Sequence, residues 1–161
     1  MSGIVIIGYQ GVGKSTWADR DHGIVDLESS SFYVDGVRPE GWQVAYCNVA
    51  QHLAEQDFVV FVSSHQVVRD ELARREGLRV AAIAPVPELK DFWIRRLRSR
   101  YESDPTDKNY KALANAEARY VENVGEILGD TRFETIPIRD ESYSLLGIVR
   151  ELVTEEPHDR H

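Results

Sequence analysis

Cysteine occurs once in the 161 residues, at Cys47, and a lone thiol cannot close an intramolecular disulfide. That excludes a disulfide-stapled scaffold and suits a reducing cytosol. Cys47 reads as core sulfur rather than as a nucleophile. Positive charge is also short: 19 Lys and Arg stand against 27 Asp and Glu, a formal net charge of −8. A surface that binds nucleic acid would be basic, so none is expected, and any phosphate site must rest on cations gathered locally. No apolar run is long enough to span a bilayer. The run Ile4-Val5-Ile6-Ile7 lacks the basic flank and the length of a secretion signal. Internal repeats, low-complexity linkers and any sign of a second domain are missing too. The expectation is a soluble cytoplasmic chain with no membrane partner, one domain over 1–154 and a disordered tail over 155–161.

What is present is concentrated near the start. Gly8-Tyr9-Gln10-Gly11-Val12-Gly13-Lys14-Ser15-Thr16 follows the apolar run directly, with the spacing of a phosphate-binding P-loop, or Walker A motif. Gly8, Gly11 and Gly13 have no Cβ to block a tight wrap with backbone N–H groups turned inward. Those donors and the start of the following helix would form a cradle for polyphosphate oxygens. Lys14 would set a point charge against the β- and γ-phosphates, and the Ser15 hydroxyl would contact Mg²⁺. The motif predicts a bound nucleoside triphosphate.

Strands and helices alternate along the rest of the chain. Residues 3–7 and 57–63 are continuous apolar runs, as in parallel strands buried on both faces. Shorter strands are expected over about 22–27, 78–84 and 133–138. Helices are expected over about 13–20, 41–55, 66–76 (closed by Gly77), 88–100, 106–128 and 142–153. Tyr46, Val49, Ala50 and Leu53 mark the inner face of the second of these, and Leu113, Tyr120, Val121, Val124, Ile127 and Leu128 that of the long fifth. The pattern predicts a three-layer α/β sandwich around a parallel sheet of about five strands.

Ligands of such sheets sit outside the carboxyl ends of the strands. Asp26 ends the second strand, where it would hold Mg²⁺ through water, accept a hydrogen bond from the acceptor, or only cap a turn. Ser29 and Ser30 follow, as acceptor contacts or as caps. The third strand ends in Ser63-Ser64-His65, where many P-loop proteins carry a Walker-B aspartate. Ser63 or Ser64 would orient a metal-bound water or the attacking group. His65 is either a cap or an acceptor ligand, and Arg69, a turn later, would suit an acceptor phosphate or a solvated helix face.

Over 88–100, Leu89, Phe92, Trp93 and Leu97 form an apolar stripe. Arg96 and Arg100 share the sector of Leu89 and Trp93, while Arg95 and Arg98 fall on the outer flank. Inner arginines are costly unless they meet anions, so Arg96 and Arg100 are expected to face a site. The polar segment 101–109 would form a lid, within a region of about 95–120, with Lys108, Asn115 and Arg119 on its far side. Tyr33 and Trp42 would stack on a base or simply pack.

Taken in order, the P-loop, Asp26 with Ser29-Ser30, Val62-Ser63-Ser64-His65 with Val68-Arg69, and Pro85 followed by Leu89-Lys90, Arg96 and Arg100 resemble the P-loop nucleoside monophosphate kinases. The likeness is nearest to the compact deoxynucleoside monophosphate kinases of bacteriophages and covers Gly3 to about Leu128. The resemblance implies a P-loop kinase fold with a small helical lid, and ATP-dependent phosphorylation of a (deoxy)nucleoside monophosphate. It assigns Gly11, Val12, Gly13, Lys14, Ser15 and Thr16 to ATP and Mg²⁺, and Arg96 and Arg100 to transfer. Asp26, Ser29, Ser30, Ser64, His65 and Arg69 fall in the acceptor site. Larger adenylate-kinase-like enzymes carry Asp-Gly-Phe-Pro-Arg where this chain has Ser-Ser-His, so the metal's partner and the acceptor-phosphate ligand stay open. A small-metabolite or nucleoside kinase with Asp26 as base is the alternative. A non-catalytic nucleotide switch is a further one, although no Asn-Lys-x-Asp guanine-reading motif is present.

Overall fold

The computed structural model describes residues 3–14 and 23–154. Ser15, Thr16, most of the helix expected over 13–20 and the tail over 155–161 lie outside the described residues. Two apolar runs organise the rest. β1 (Ile4–Gly8) and β3 (Val59–Val62) are buried at every position and pair side by side in parallel, Ile4 opposite Val59 and Ile7 opposite Val62. A strand covered on both faces has no solvent side for polar residues. Around this pair the sheet adds β2 (Ile24–Asp26), β4 (Val80–Pro85) and β5 (Glu134–Ile138) in the order β2-β3-β1-β4-β5. Every pairing is parallel. β2 and β5 are the edges, which accounts for their shorter or more polar sequences and for Pro137 within β5.

Five α-helices flank the sheet among the described residues, an arrangement consistent with three layers: α1 (Trp42–Glu55), α2 (Gln66–Ala73), α3 (Lys90–Ser103), α4 (Asp107–Leu128) and α5 (Leu145–Thr154). None is long and apolar enough to cross a membrane. α1 buries Tyr46, Cys47, Ala50 and Ala54, so Val49, expected inside, stands 39% exposed. α4 buries Asn109, Leu113, Ala116, Tyr120, Val124 and Ile127. Val121, also expected inside, is 50% exposed, because at 100° per residue it lies about 100° around the axis from its buried neighbour Tyr120.

α2 stops three residues before its expected end. Arg74 and Arg75 close it with backbone bonds to Glu71 and Leu72, and the Arg75 side chain turns back to Asn48, Gln51 and Glu71. Gly77, at φ +74°, therefore serves the following turn and not the helix end. α3 is preceded by a 3-10 turn, Pro87–Leu89, and runs beyond Arg100 to Ser103. The break before α4 is short: the Thr106 side chain accepts from Asn109 N at 3.2 Å and caps the new helix.

Candidate phosphate and acceptor site

At the carboxyl end of β1 the chain turns through a loop in which Gly11 and Gly13 take φ values of +85° and +107°. Such angles favour glycine. Space demands it as well, since a Cβ on Gly11 would lie 2.9 Å from Leu97 Cδ2 and 3.1 Å from Trp93 Nε1. Three consecutive loop carbonyls are held from the helix side. Trp93 Nε1 donates to Gln10 O at 2.8 Å, Arg96 Nε to Gly11 O at 2.7 Å, and the Tyr143 hydroxyl to Val12 O at 2.8 Å. The Trp93 and Tyr143 rings stack on one another, and the Arg96 guanidinium lies over both. With the carbonyls so engaged, the Gly11 and Gly13 amides donate to no described residue. Free amides in a wrapped loop are the donor set a polyphosphate requires.

Lys14 Nζ donates back to Gly8 O at 3.0 Å. Burial pushes its pKa below the usual lysine value, against the opposing pull of Asp26 and Glu28. The Asp26 and Glu28 carboxyls lie close together at the cavity wall. Burial raises the Asp26 pKa above its usual value, against the lowering effect of Lys14. Burial also pushes Glu28 up, but the hydrogen bond and charge of Lys108, with Lys14, outweigh it and leave Glu28 below its usual value. Lys108, from the first turn of α4, meets Glu28 at 2.6 Å, so the α3–α4 junction reaches across to the segment after β2.

These groups line one cavity of about 640 Å³. It gathers Gly11, Lys14, Asp26, Ser29, Ser30, Ser64, His65, Arg69 and Arg100 from the sequence-predicted set. Beneath it Tyr46 ties two strand ends together, its hydroxyl donating to Leu27 O at 2.6 Å and accepting from Ser63 N at 2.9 Å. His65 Nδ1 and Nε2 bring no charge at neutral pH, because burial, Arg38 and Lys14 drive the imidazole pKa down to about 4.

Two arginines stand differently from expectation. Arg96 does not line the cavity; it is exposed and spends its Nε on the loop backbone. Arg69 lines the cavity but is not solvated: it is 6% exposed, donates to Asp130 Oδ2 at 2.8 Å and to Ser64 O at 3.2 Å, and faces Glu126 at 3.7 Å. It braces the end of β3 against the end of α4. Arg100 lines the cavity, half-buried.

Several contributors were not singled out from the sequence. Glu28 stands two residues beyond the end of β2, and that position was a usable signal. Arg38 lay in a turn-rich segment. It donates to Ser29 Oγ at 3.1 Å, lies over the Tyr33 and Trp42 rings, and has a buried Nε with no partner among the described residues. Tyr143 is 131 positions from Val12, and no local pattern announces such a contact.

Whether Mg²⁺ suits this donor set is a matter of its chemistry. Among the described residues no cluster of three or more His, Cys, Asp or Glu is placed to hold a metal ion. Asp26 and Glu28 form a pair of oxygen donors beside Lys14. Mg²⁺ commonly binds through one or two carboxylates together with substrate phosphates and water, so the residues fit that ion.

The chain is an α/β protein with a glycine-rich loop at the carboxyl edge of its five-stranded parallel sheet. No protein-family model matches the chain, and no curated protein matches it. A crystal structure of an uncharacterized protein from Eubacterium ventriosum is similar over 94% of this chain and 96% of that one, at 14% identity and a TM-score of 0.49. A likeness of that size carries nothing about function.

Proposed function

We propose that the protein is a P-loop kinase that transfers the γ-phosphoryl group of ATP to a (deoxy)nucleoside monophosphate. The observation that carries the reading is the loop itself: three carbonyls bound from outside, two glycine amides left unbonded among the described residues, and Lys14 held at the cavity. ATP would place its phosphates in this cradle, with Lys14 leaving the Gly8 carbonyl for the β- and γ-oxygens. Trp93, Arg96 and Tyr143 act as positioning residues that keep the loop's donors aligned.

The acceptor phosphate oxygen attacks the γ-phosphorus, the bond to the β,γ-bridging oxygen breaks, and ADP leaves. A phosphate monoester needs no strong base, so catalysis rests on alignment and charge. Arg100 is the cation for transfer. Arg38, with an unspent N–H beside Ser29 and Ser30, takes the acceptor phosphate in place of Arg69, whose donors are committed to Asp130 and Ser64. Asp26 and Glu28, with Ser15, would hold Mg²⁺, which would neutralise phosphate charge. The 104–109 junction serves as the lid, latched through Lys108 to Glu28.

A second reading has one observation in its favour: the raised proton affinity of Asp26 suits a general base toward a hydroxyl, as in a small-metabolite or nucleoside kinase. A coupled ADP-release assay over nucleosides, nucleoside monophosphates and hydroxyl metabolites separates the two. Turnover confined to nucleoside monophosphates supports the first; turnover confined to hydroxyl acceptors and abolished by Asp26→Asn supports the second. ATP consumption without any acceptor dependence contradicts both.

A further inference from the structure

One stretch of the cavity wall holds neutral amides. Gln10 comes to it from the loop, Asn115 and Asn123 from α4. Gln10 Nε2 donates to Ala112 O at 3.0 Å and to Asn115 Oδ1 at 3.3 Å, and Asn123 Nδ2 donates to the same Asn115 oxygen at 2.8 Å. Asn115 and Asn123 are eight residues apart. In an unbroken α-helix that separation is about 12 Å along the axis, beyond the reach of two short amides. They meet because Arg119 leaves helical geometry, at φ −142° and ψ 25°. No proline or glycine stands at that point to account for the break. Its consequence is three converging carboxamides on a cavity wall.

Each amide keeps an unused polar atom. Among the described residues Gln10 Oε1, Asn115 Nδ2 and Asn123 Oδ1 make no hydrogen bond. Two acceptors and one donor therefore remain for a ligand. A phosphate fits poorly, since two amide oxygens would face its anionic oxygens.

We propose that Gln10, Asn115 and Asn123 read the hydrogen-bonding edge of the acceptor's nucleobase and select a base that carries an exocyclic amine. This inference rests on the nucleoside monophosphate reading. Adenine, cytosine and guanine each present an amine donor beside a ring-nitrogen or carbonyl acceptor, which complements the open atoms. Thymine and uracil present one N–H between two carbonyls, and those carbonyls meet the amide oxygens unfavourably. Discrimination by such contacts is worth roughly tenfold to a hundredfold in kcat/KM.

The test measures kcat/KM with ATP and Mg²⁺ for AMP, GMP, CMP, UMP and their deoxy counterparts, including dTMP. It compares the unmodified protein with Asn123→Leu and Gln10→Met, two shape-conserving variants. Near-ultraviolet circular dichroism establishes that each is folded; either one suffices. The expected result is a preference of at least about tenfold for one amino-bearing base over UMP and dTMP, falling by about tenfold or more in the variants. A role confined to bracing the loop would lower all substrates together and leave the ratio unchanged. That outcome, or equal use of dTMP by the unmodified protein, overturns the base-reading inference while the kinase reading stands. Failure of every monophosphate overturns both.

Discussion

Single side chains at this site are governed by what burial does to their charge. His65 ends β3's loop with its imidazole pKa at about 4, below its ordinary 6.5, by burial first and then by Arg38 and Lys14. Between pH 6.5 and 4 the unfolded chain therefore takes up a proton that the folded chain refuses, and stability falls as the pH drops through that window. Above pH 6.5 the residue contributes nothing to the slope. Urea midpoints at pH 4.5 and pH 7 should lie further apart in the unmodified protein than in His65→Asn, and an NMR titration should find the imidazole neutral at pH 5.5. Asp130 behaves oppositely. Hydrogen bonds from Arg132, and then from Arg69, overcome the effect of burial and hold it far below the usual carboxylate range, so its contribution is present at neutral pH and lost in strong acid. Asp130→Ala leaves the Arg69 guanidinium buried without its nearest counter-charge. The expected cost is about 3 kcal/mol in urea unfolding at pH 7; a loss below 1 kcal/mol would contradict the view that Arg69 is a brace. The sequence placed Arg69 near the site, since it follows the β3 loop by one helical turn. It did not disclose the brace, because Asp130 is 61 residues away.

At the scale of elements, the glycine-rich loop and the strands beside it were the most legible. β1 and β3 are apolar without interruption because each is covered on both faces, and a pattern of that kind survives any error in register. The loop's spacing likewise carries its own physical reason, as Gly11 needs both its positive φ and the room beside Leu97 and Trp93. Gly11→Ala should destabilise the protein by about 1–3 kcal/mol and abolish nucleotide binding, measured by thermal unfolding with and without ATP. A variant that melts and binds as the parent does would show that the loop does not need its present path. Helix faces were less legible. Val49 and Val121 sit at the margins of their stripes, where a hydrophobic side chain can fall on either side of the line. Arg96 had the phase of an inner residue, yet its long side chain reaches sideways to Gly11 O. The break at Arg119 left no mark in the sequence, since neither proline nor glycine produces it.

Across the whole molecule, an acidic chain concentrates cations at one end of its sheet. Lys14, Arg38, Arg69, Arg100, Lys108 and Lys111 line the cavity beside Asp26, Glu28, Asp107 and Glu126, in a chain whose net charge is −8. The alternation of strands and helices foretold a parallel α/β sheet. The order β2-β3-β1-β4-β5 was not foretold, because strand order depends on crossovers that composition does not encode. That order puts the loop after β1 between the ends of β3 and β4, and so brings Asp26, Ser64 and Lys14 to a common cavity. The proposal of a kinase requires that this cavity transfer a phosphoryl group rather than only hold a nucleotide. The most direct measurement incubates the protein with γ-labelled ATP, Mg²⁺ and each nucleoside monophosphate, and follows label into the product. A kinase yields labelled nucleoside diphosphate, with the rate lowered about a hundredfold or more in a folded Lys14→Ala variant. Label that never enters any monophosphate, or undiminished transfer in folded Lys14→Ala, would contradict it.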